Sequence, residues 1–175
     1  MFIKSDSICL RALEPSDLEV LYSIENDSRI WQISNTNAPY SKEVLSLYLQ
    51  NAHQDIYTTK QLRLMICMLN TNQPIGTIDL FEFEPMHERV GVGILIFDEF
   101  RNKGFGTQSI QLVKEYVFKT LHLNQIYCNI SVSNLTSIEL FTKNNFVQIG
   151  VKKNWNKISS TQFEDEIMFQ CINGE

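Results

Sequence analysis

Residues 90–118 read VGVGILIFDEF, then RNKGFG, then TQSIQLVKEYVF, and no other stretch limits the fold as tightly. The first run is apolar and rich in β-branched residues, the mark of a buried strand, with Gly91 and Gly93 interrupting it. The last run places Ile110, Val113, Tyr116, Val117 and Leu121 at helical spacing over about 104–121. Between them, Gly104 and Gly106 turn the chain within a few residues. A further strand-like run, QIYCNISV at 125–132, follows the helix. Strand, helix and strand in that order imply a right-handed crossover and a parallel pair.

The remaining elements read around this unit. ICLRAL (8–13) alternates as a strand, EPSDLEVLYSIEND (14–27) reads as a helix opened by Pro15-Ser16-Asp17, and SKEVLSLYLQNAH (41–53) as a helix with Ser41 as its N-cap. Its apolar face is Val44, Leu45, Tyr48 and Leu49. Strands are expected at 62–69, 75–84 and 89–97, joined by the hairpin-like connections NTNQP and PMH. After the strand at 125–132 come a helix at 134–144 and a terminal strand pair near 146–154 and 163–172. The order β-α-α-β-β-β-α-β-α-β-β predicts a mixed α/β or α+β sheet in one domain, 1–175. A chain of 175 residues, 43% hydrophobic and 20% charged, is long enough to bury one core.

Charge and cysteine usage narrow the partners. The net charge is −5 and no arginine- or lysine-rich stretch stands out, so nucleic acid is not expected. An acidic surface tolerates a cationic substrate. Cys9, Cys67, Cys128 and Cys171 form no CxxC pair and sit in apolar runs, which predicts free core thiols in a reducing compartment and no metal frame. The opening MFIKSDSICLRAL has no long apolar region, and no run approaches the ~18 apolar residues of a membrane span. A cytoplasmic protein with no membrane partner is expected.

The loop itself asks for an anion. The first backbone N–H groups of a helix lack internal partners and the helix dipole is positive there. Gly104 and Gly106 let a ligand approach the main chain, and Arg101 and Lys103 add charge, so a phosphate or pyrophosphate is the natural occupant. A GxxxxGK[ST] loop is absent, and the GxG here ends in Thr-Gln-Ser rather than completing GxGxxG. The plain alternative is a tight turn with solvated cations. The strand before the loop favours the ligand: a glycine-interrupted strand that stops pairing fully offers free N–H and C=O groups to an amide-bearing chain. Pyrophosphate at the helix start and amides along the strand describe a seat for coenzyme A.

Two blocks carry a family resemblance. Arg101-Asn102-Lys103-Gly104-Phe105-Gly106 resembles the [QR]-x-x-G-x-[GA] signature of the GNAT N-acetyltransferase superfamily. Asn134, Ser137, Phe141, Asn145 and Phe146 are spaced like its N-x-x-[AS]-x-x-x-[YF]-x-x-x-G-F block. The resemblance runs from about residue 8 to 172. It is nearest to the spermidine acetyltransferases, through LRALEPSDL, the Pro-Tyr at 39–40 and FEFEPMHER, and more distant from the ribosomal-protein N-terminal acetyltransferases. It implies a mixed, mostly antiparallel sheet of about seven strands, with a central splayed parallel pair (89–97 and 125–132) and about four flanking helices.

The resemblance also implies acetyl-CoA as cofactor and direct attack of a primary amine on its thioester. The implied cofactor contacts are the strand residues Leu95, Ile96 and Phe97, the loop Arg101, Asn102, Lys103, Gly104, Phe105, Gly106 and Thr107, and Asn134, Ser137, Phe141 and Lys143. The backbone N–H near Leu95 would polarise the carbonyl. Phe141 stands where many members carry a tyrosine acid, so that proton donor is missing. Asn145 replaces the usual glycine, which asparagine can do in a left-handed cap.

For the base, Glu82 comes first and Asp79 second. Strand alternation puts Asp79, Phe81 and Phe83 on one face and Leu80, Glu82 and Glu84 on the other. The acceptor wall is expected in 28–53, with Trp31, Asn35, Asn37 and Tyr40. Asn37-Ala38 replaces the acidic pair that precedes Pro-Tyr in the spermidine enzymes. The acceptor classes are a small primary or polyamine-like amine first and a peptide N-terminus second. The alternative to an enzyme is a non-catalytic acyl-CoA-binding or sensing module, which Phe141 favours. The residues leave a homodimer open.

Overall fold

The computed structural model describes residues 3–34 and 37–174. They fall into two compact units, one of Ala12–Asp55 and the other of the residues up to Arg11 together with Ile56 onward.

The larger unit is built on an eight-stranded sheet: β1 (Ile3–Lys4), β2 (Ile8–Ala12), β3 (Leu62–Met68), β4 (Pro74–Glu84), β5 (Arg89–Ile96), β6 (Gln125–Ser131), β7 (Val147–Lys157) and β8 (Phe163–Ile172). Their spatial order is β1-β2-β3-β4-β5-β6-β8-β7. The β3–β4, β4–β5, β6–β8 and β7–β8 pairs are antiparallel, whereas β5 and β6 run parallel. The helices of the whole chain are α1 (Leu18–Glu25), α2 (Ser28–Ser34), α3 (Lys42–Asn51), α4 (Ile56–Thr59), α5 (Phe105–Glu115) and α6 (Leu135–Lys143). The short β1, α2 and α4 are additions to the elements expected above.

Helices α5 and α6 cover one face of this sheet. Ile110, Val113 and Val117 from the α5 segment and Phe141 from α6 join one buried cluster with Ile78, Leu80, Val90, Val92, Ile126, Cys128, Ile130 and Phe169. Side chains of this kind each stabilise the fold by roughly 1.5–3 kcal/mol when fully buried. The α5 segment ends in a π-helical turn, Tyr116–Thr120. Asn134 caps α6, its side-chain oxygen accepting from the Ser137 N–H at 3.1 Å. Just past the end of α6, Asn145 takes a φ of +66°, the left-handed conformation asparagine tolerates.

Strand β4 departs from simple alternation. Its register with β5 shifts between Phe81 and Glu84, Glu82 has a φ of +50°, and the Phe83 N–H leaves β5 to donate to the Lys60 carbonyl. This bulge puts Phe83 into the α5-side core, 1% exposed, while Phe81 meets the Tyr127 ring edge-on. Phe81 and Phe83 therefore do not share a face as alternation predicted, because one left-handed residue between them resets the period.

In the smaller unit a 3₁₀ turn at Pro15–Asp17 leads into α1, and Ser41 caps α3 by accepting the Val44 N–H at 3.2 Å. Leu21, Leu45 and Leu49 are buried, whereas Val44, expected on that face, is half exposed. Lys42 donates to Glu19 at 2.7 Å, and Asn26 bonds both the N–H and the carbonyl of Tyr40. All four cysteines are buried and free. Among the described residues, no helix is long and apolar enough to cross a membrane, and no cluster of potential metal ligands forms.

Candidate active site

Strands β5 and β6 are in register only for Arg89–Gln125, Val90–Ile126 and Gly91–Tyr127. Beyond Tyr127 they part, while β5 keeps its full antiparallel ladder to β4 as far as Ile96. One edge of β5 is thus held and the other opens into a gap, as a central splayed parallel pair requires.

The phase of the β4–β5 ladder decides which amides face the gap. The Phe97 N–H donates to the Ile75 carbonyl at 2.9 Å. In an antiparallel ladder hydrogen-bonded pairs alternate with non-bonded ones, so Leu95 and Gly93 turn their polar groups to Thr77 and Asp79 of β4. The backbone groups of Ile94 and Ile96 point the other way, into the gap. Leu95 and Phe97, expected as backbone contacts, therefore turn their N–H groups to β4, and the gap-facing N–H groups of this stretch are those of Ile94 and Ile96. The Ile96 carbonyl already accepts from Arg101 Nε at 3.0 Å.

The loop follows at once. A 3₁₀ turn at Asp98–Phe100 leads to Arg101, Asn102 has a φ of +59°, and Gly104 has a φ of +81° as the residue before α5. Nothing lies within 4 Å of where a Gly104 Cβ would be, so the main chain there is open to a ligand. Gly106 serves packing instead, since its added Cβ would sit 3.3 Å from Leu140 of α6. The two cations brace the loop: Arg101 pairs with Asp98 at 3.0 Å, and Lys103 donates to the Glu99 carbonyl at 2.7 Å while lying 5.4 Å from the Phe100 ring centroid. Backbone amides from Phe105, Gly106 and Thr107 open the helix, and these lack intrahelical acceptors.

These features fit a pantetheine–pyrophosphate chain. Gap-facing amides match its amide groups, the open left-handed glycine admits a phosphate against the backbone, and the helix start supplies the positive field.

The other expected residues fall in varied places. Asn134 stands at the far side of the gap, three residues beyond the end of β6, and its side chain is engaged in capping α6 through the Ser137 N–H. Phe141 is 3% exposed and meets Phe146 edge-on, with centroids 4.9 Å apart. Lys143 ion-pairs with Glu139 at 2.5 Å on the outer side of α6, and that lysine holds the Glu139 carboxyl below its ordinary range.

Of the two candidate bases, Asp79 is committed. Arg63 Nε donates to its Oδ1 at 2.5 Å in a half-buried pair, and a guanidinium-bound carboxylate is a poor proton acceptor. Glu82 is exposed and accepts a short hydrogen bond from the Tyr127 hydroxyl at Oε2. Burial, then the Glu82 contact, pushes the Tyr127 hydroxyl far above its ordinary range.

Trp31 and Tyr40 belong to the smaller unit. The Trp31 indole donates to the Glu25 carbonyl at 2.8 Å and Tyr40 is 40% exposed; Asn35 lies outside the described residues. Tyr127 and Ile94 join the residues of this region, although neither is among the residues expected above. The alternating run QIYCNIS does place Tyr127 opposite the buried Ile126 and Cys128, but the ladder phase that selects Ile94 has no sequence signal.

Residues 7–147 match the family described as acetyltransferase (GNAT) domain. The chain is 28% identical over 148 residues to a spermidine N(1)-acetyltransferase of Vibrio cholerae, covering 83% of this chain and 82% of the relative. A crystal structure of spermidine N-acetyltransferase from Vibrio cholerae in complex with CoA and spermine has the same fold, with a TM-score of 0.85 at 24% identity over 96% of each chain. A dodecameric structure of the Vibrio cholerae enzyme superposes with a TM-score of 0.77 at 24% identity, covering 96% of this chain and 95% of that one.

Proposed function

The chain belongs to the GNAT acetyltransferase family and is an N-acetyltransferase that uses acetyl-CoA, and on that premise we propose that it acetylates a small polyamine at the β5–β6 gap with Glu82 as the base. The observation that carries the site is the parting of β5 and β6 after Gly91 and Tyr127, beside the open left-handed Gly104. The polyamine rests on the relative that acetylates spermidine and on an acidic chain of net charge −5, which attracts a polycation. The spermidine acetyltransferase relative lends a peptide N-terminus no support, and the family match disfavours a purely binding role.

Backbone N–H groups at Gly104, Phe105, Gly106 and Thr107 hold the pyrophosphate, with Arg101 and Lys103 raising the local positive potential. Gap-facing groups of Ile94 and Ile96 align the pantetheine arm. Bound there, acetyl-CoA supplies an electrophilic thioester carbonyl. The Ile94 N–H polarises that carbonyl. Glu82 takes one proton from the acceptor ammonium and passes it to solvent. Attack by the neutral nitrogen on the bound thioester would form the N–C bond as the C–S bond breaks, the sulfur leaving with the electron pair. The second proton shed by nitrogen goes to the thiolate, since Phe141 has none to give. Asn134 shapes the opposite wall as the cap of α6.

Four buried free thiols suit a reducing, cytoplasmic setting. The dodecamer formed by the Vibrio cholerae enzyme supports self-association, for which light scattering should give a mass of several chains; a monomer contradicts it. Mass spectrometry of spermidine incubated with the protein and acetyl-CoA tests the substrate. A monoacetylated product is expected, and acetylation of an N-terminal peptide with spermidine untouched would overturn the assignment.

A further inference from the structure

We propose that Tyr127 is a positioning residue, its hydroxyl fixing the Glu82 carboxylate at the vertex of the β5–β6 gap so that the remaining carboxylate oxygen receives the acceptor's proton. The inference rests on the reading of Glu82 as base, and four observations drawn from β4, β5 and β6 carry it.

The first is backbone conformation. Glu82 is a non-glycine residue at φ +50°, inside a bulge where the β4–β5 register slips. Such conformations persist where the surroundings enforce them and cluster at functional sites. Without the bulge, alternation would send Glu82 to the face of Leu80, under α5, away from Tyr127.

The second is the polar contact. The Tyr127 hydroxyl donates to Glu82 Oε2. Glu82 Oε1 has no hydrogen-bond partner among the described residues, so one oxygen is held and the other is open. The neighbouring charges are already matched: Glu84 pairs with Arg89 at 2.9 Å, and Asp79 with Arg63 at 2.5 Å.

The third is location. Tyr127 is the last residue of the parallel ladder, opposite Gly91. The next gap-facing amide along β5 is that of Ile94, so the carboxylate held by Tyr127 and the carbonyl-polarising N–H flank the point where the strands part.

The fourth is the support behind the ring. Phe81 meets Tyr127 edge-on, with centroids 6.1 Å apart at 83°, and the Phe81 ring itself lies over Gly91. Tyr127 is 8% exposed, so its hydroxyl is locked rather than free to follow solvent. A carboxylate on a long side chain gains most from such a holder when it must meet a mobile amine.

The test is a double-mutant cycle on the full-length protein, reading amine-dependent CoA release at saturating acetyl-CoA and spermidine, with KM for acetyl-CoA and the thermal midpoint measured alongside. Glu82→Gln should lower kcat by about 10²-fold or more. Tyr127→Phe should lower it by about tenfold, leaving KM for acetyl-CoA and the midpoint near native values, and should cost nothing further in the Glu82→Gln background. Glu82→Asp, which shortens the reach to the hydroxyl at an exposed position, should match the loss of Tyr127→Phe and become insensitive to it. That variant keeps the test decisive even if Tyr127→Phe folds poorly. A native kcat in Tyr127→Phe or in Glu82→Asp, or an equal Tyr127→Phe loss with and without Glu82, overturns the positioning role. A native kcat in Glu82→Gln overturns the base and its holder together. Failure of the substrate assignment is distinct, since it would show as no acetylspermidine from the native chain.

Discussion

Gly91 of β5 lies directly opposite Phe81 of β4, and a Cβ added to Gly91 would sit 2.3 Å from the Phe81 ring. The glycine is there to seat an aromatic ring across the strand pair. That ring in turn braces Tyr127 at the vertex of the gap. Gly91→Ala should therefore push the ring aside and disturb the gap as well as the packing. Overpacking of this kind costs about 1–3 kcal/mol, a fall in thermal midpoint of roughly 2–4 °C per kcal/mol for a chain of this size. Thermal unfolding monitored by circular dichroism checks it, and an unchanged midpoint would mean that the ring has somewhere else to go.

Gly104 differs from Gly91, having nothing within 4 Å of its would-be Cβ but a φ of +81°. Gly104→Asp should lose only about 1–2 kcal/mol of stability from the left-handed backbone. It should nonetheless abolish the rise in thermal midpoint that acetyl-CoA gives the native chain, because a carboxylate then occupies the anion seat. An equal ligand-induced rise in both proteins would move the pyrophosphate elsewhere.

Much of this was legible in the residues, for identifiable reasons. The strand, the RNKGFG loop and the following helix are local features, set by periodicity and two glycines, and the structure has them in order. The left-handed Asn145 is equally local, following from what asparagine does at helix ends. What was not legible depends on partners distant in the chain. Glu82 adopts its conformation where the Phe83 N–H bonds Lys60 instead of continuing the ladder, so no reading of FEFEPMHER alone would place it beside Tyr127. The choice of Ile94 over Leu95 rests on the Phe97–Ile75 hydrogen bond, a one-residue matter of phase to which hydrophobic alternation is blind. The commitment of Asp79 to Arg63 likewise joins residues from two strands.

The raised titration of Tyr127 has a consequence at alkaline pH. Burial first, and the Glu82 carboxylate second, favour the protonated hydroxyl in the folded chain, raising it above the ordinary tyrosine value of about 10. The folded state thus holds this proton more tightly than the unfolded chain. The associated stability is fully present below pH about 10 and is lost as pH rises beyond it, by at most about 1.4 kcal/mol per pH unit. Denaturant unfolding from pH 9 to 11 should show a steeper decline for the native chain than for Tyr127→Phe. Parallel declines would mean that other groups set the alkaline limit.

The most direct measurement is the initial rate of CoA thiol release at saturating acetyl-CoA as spermidine is raised. The rate should rise with spermidine and saturate, in a chain that acetyl-CoA also stabilises against heat. Thermal stabilisation by acetyl-CoA with no thiol release, whether with spermidine or with any other amine, would contradict it and leave a coenzyme-binding module in place of an enzyme.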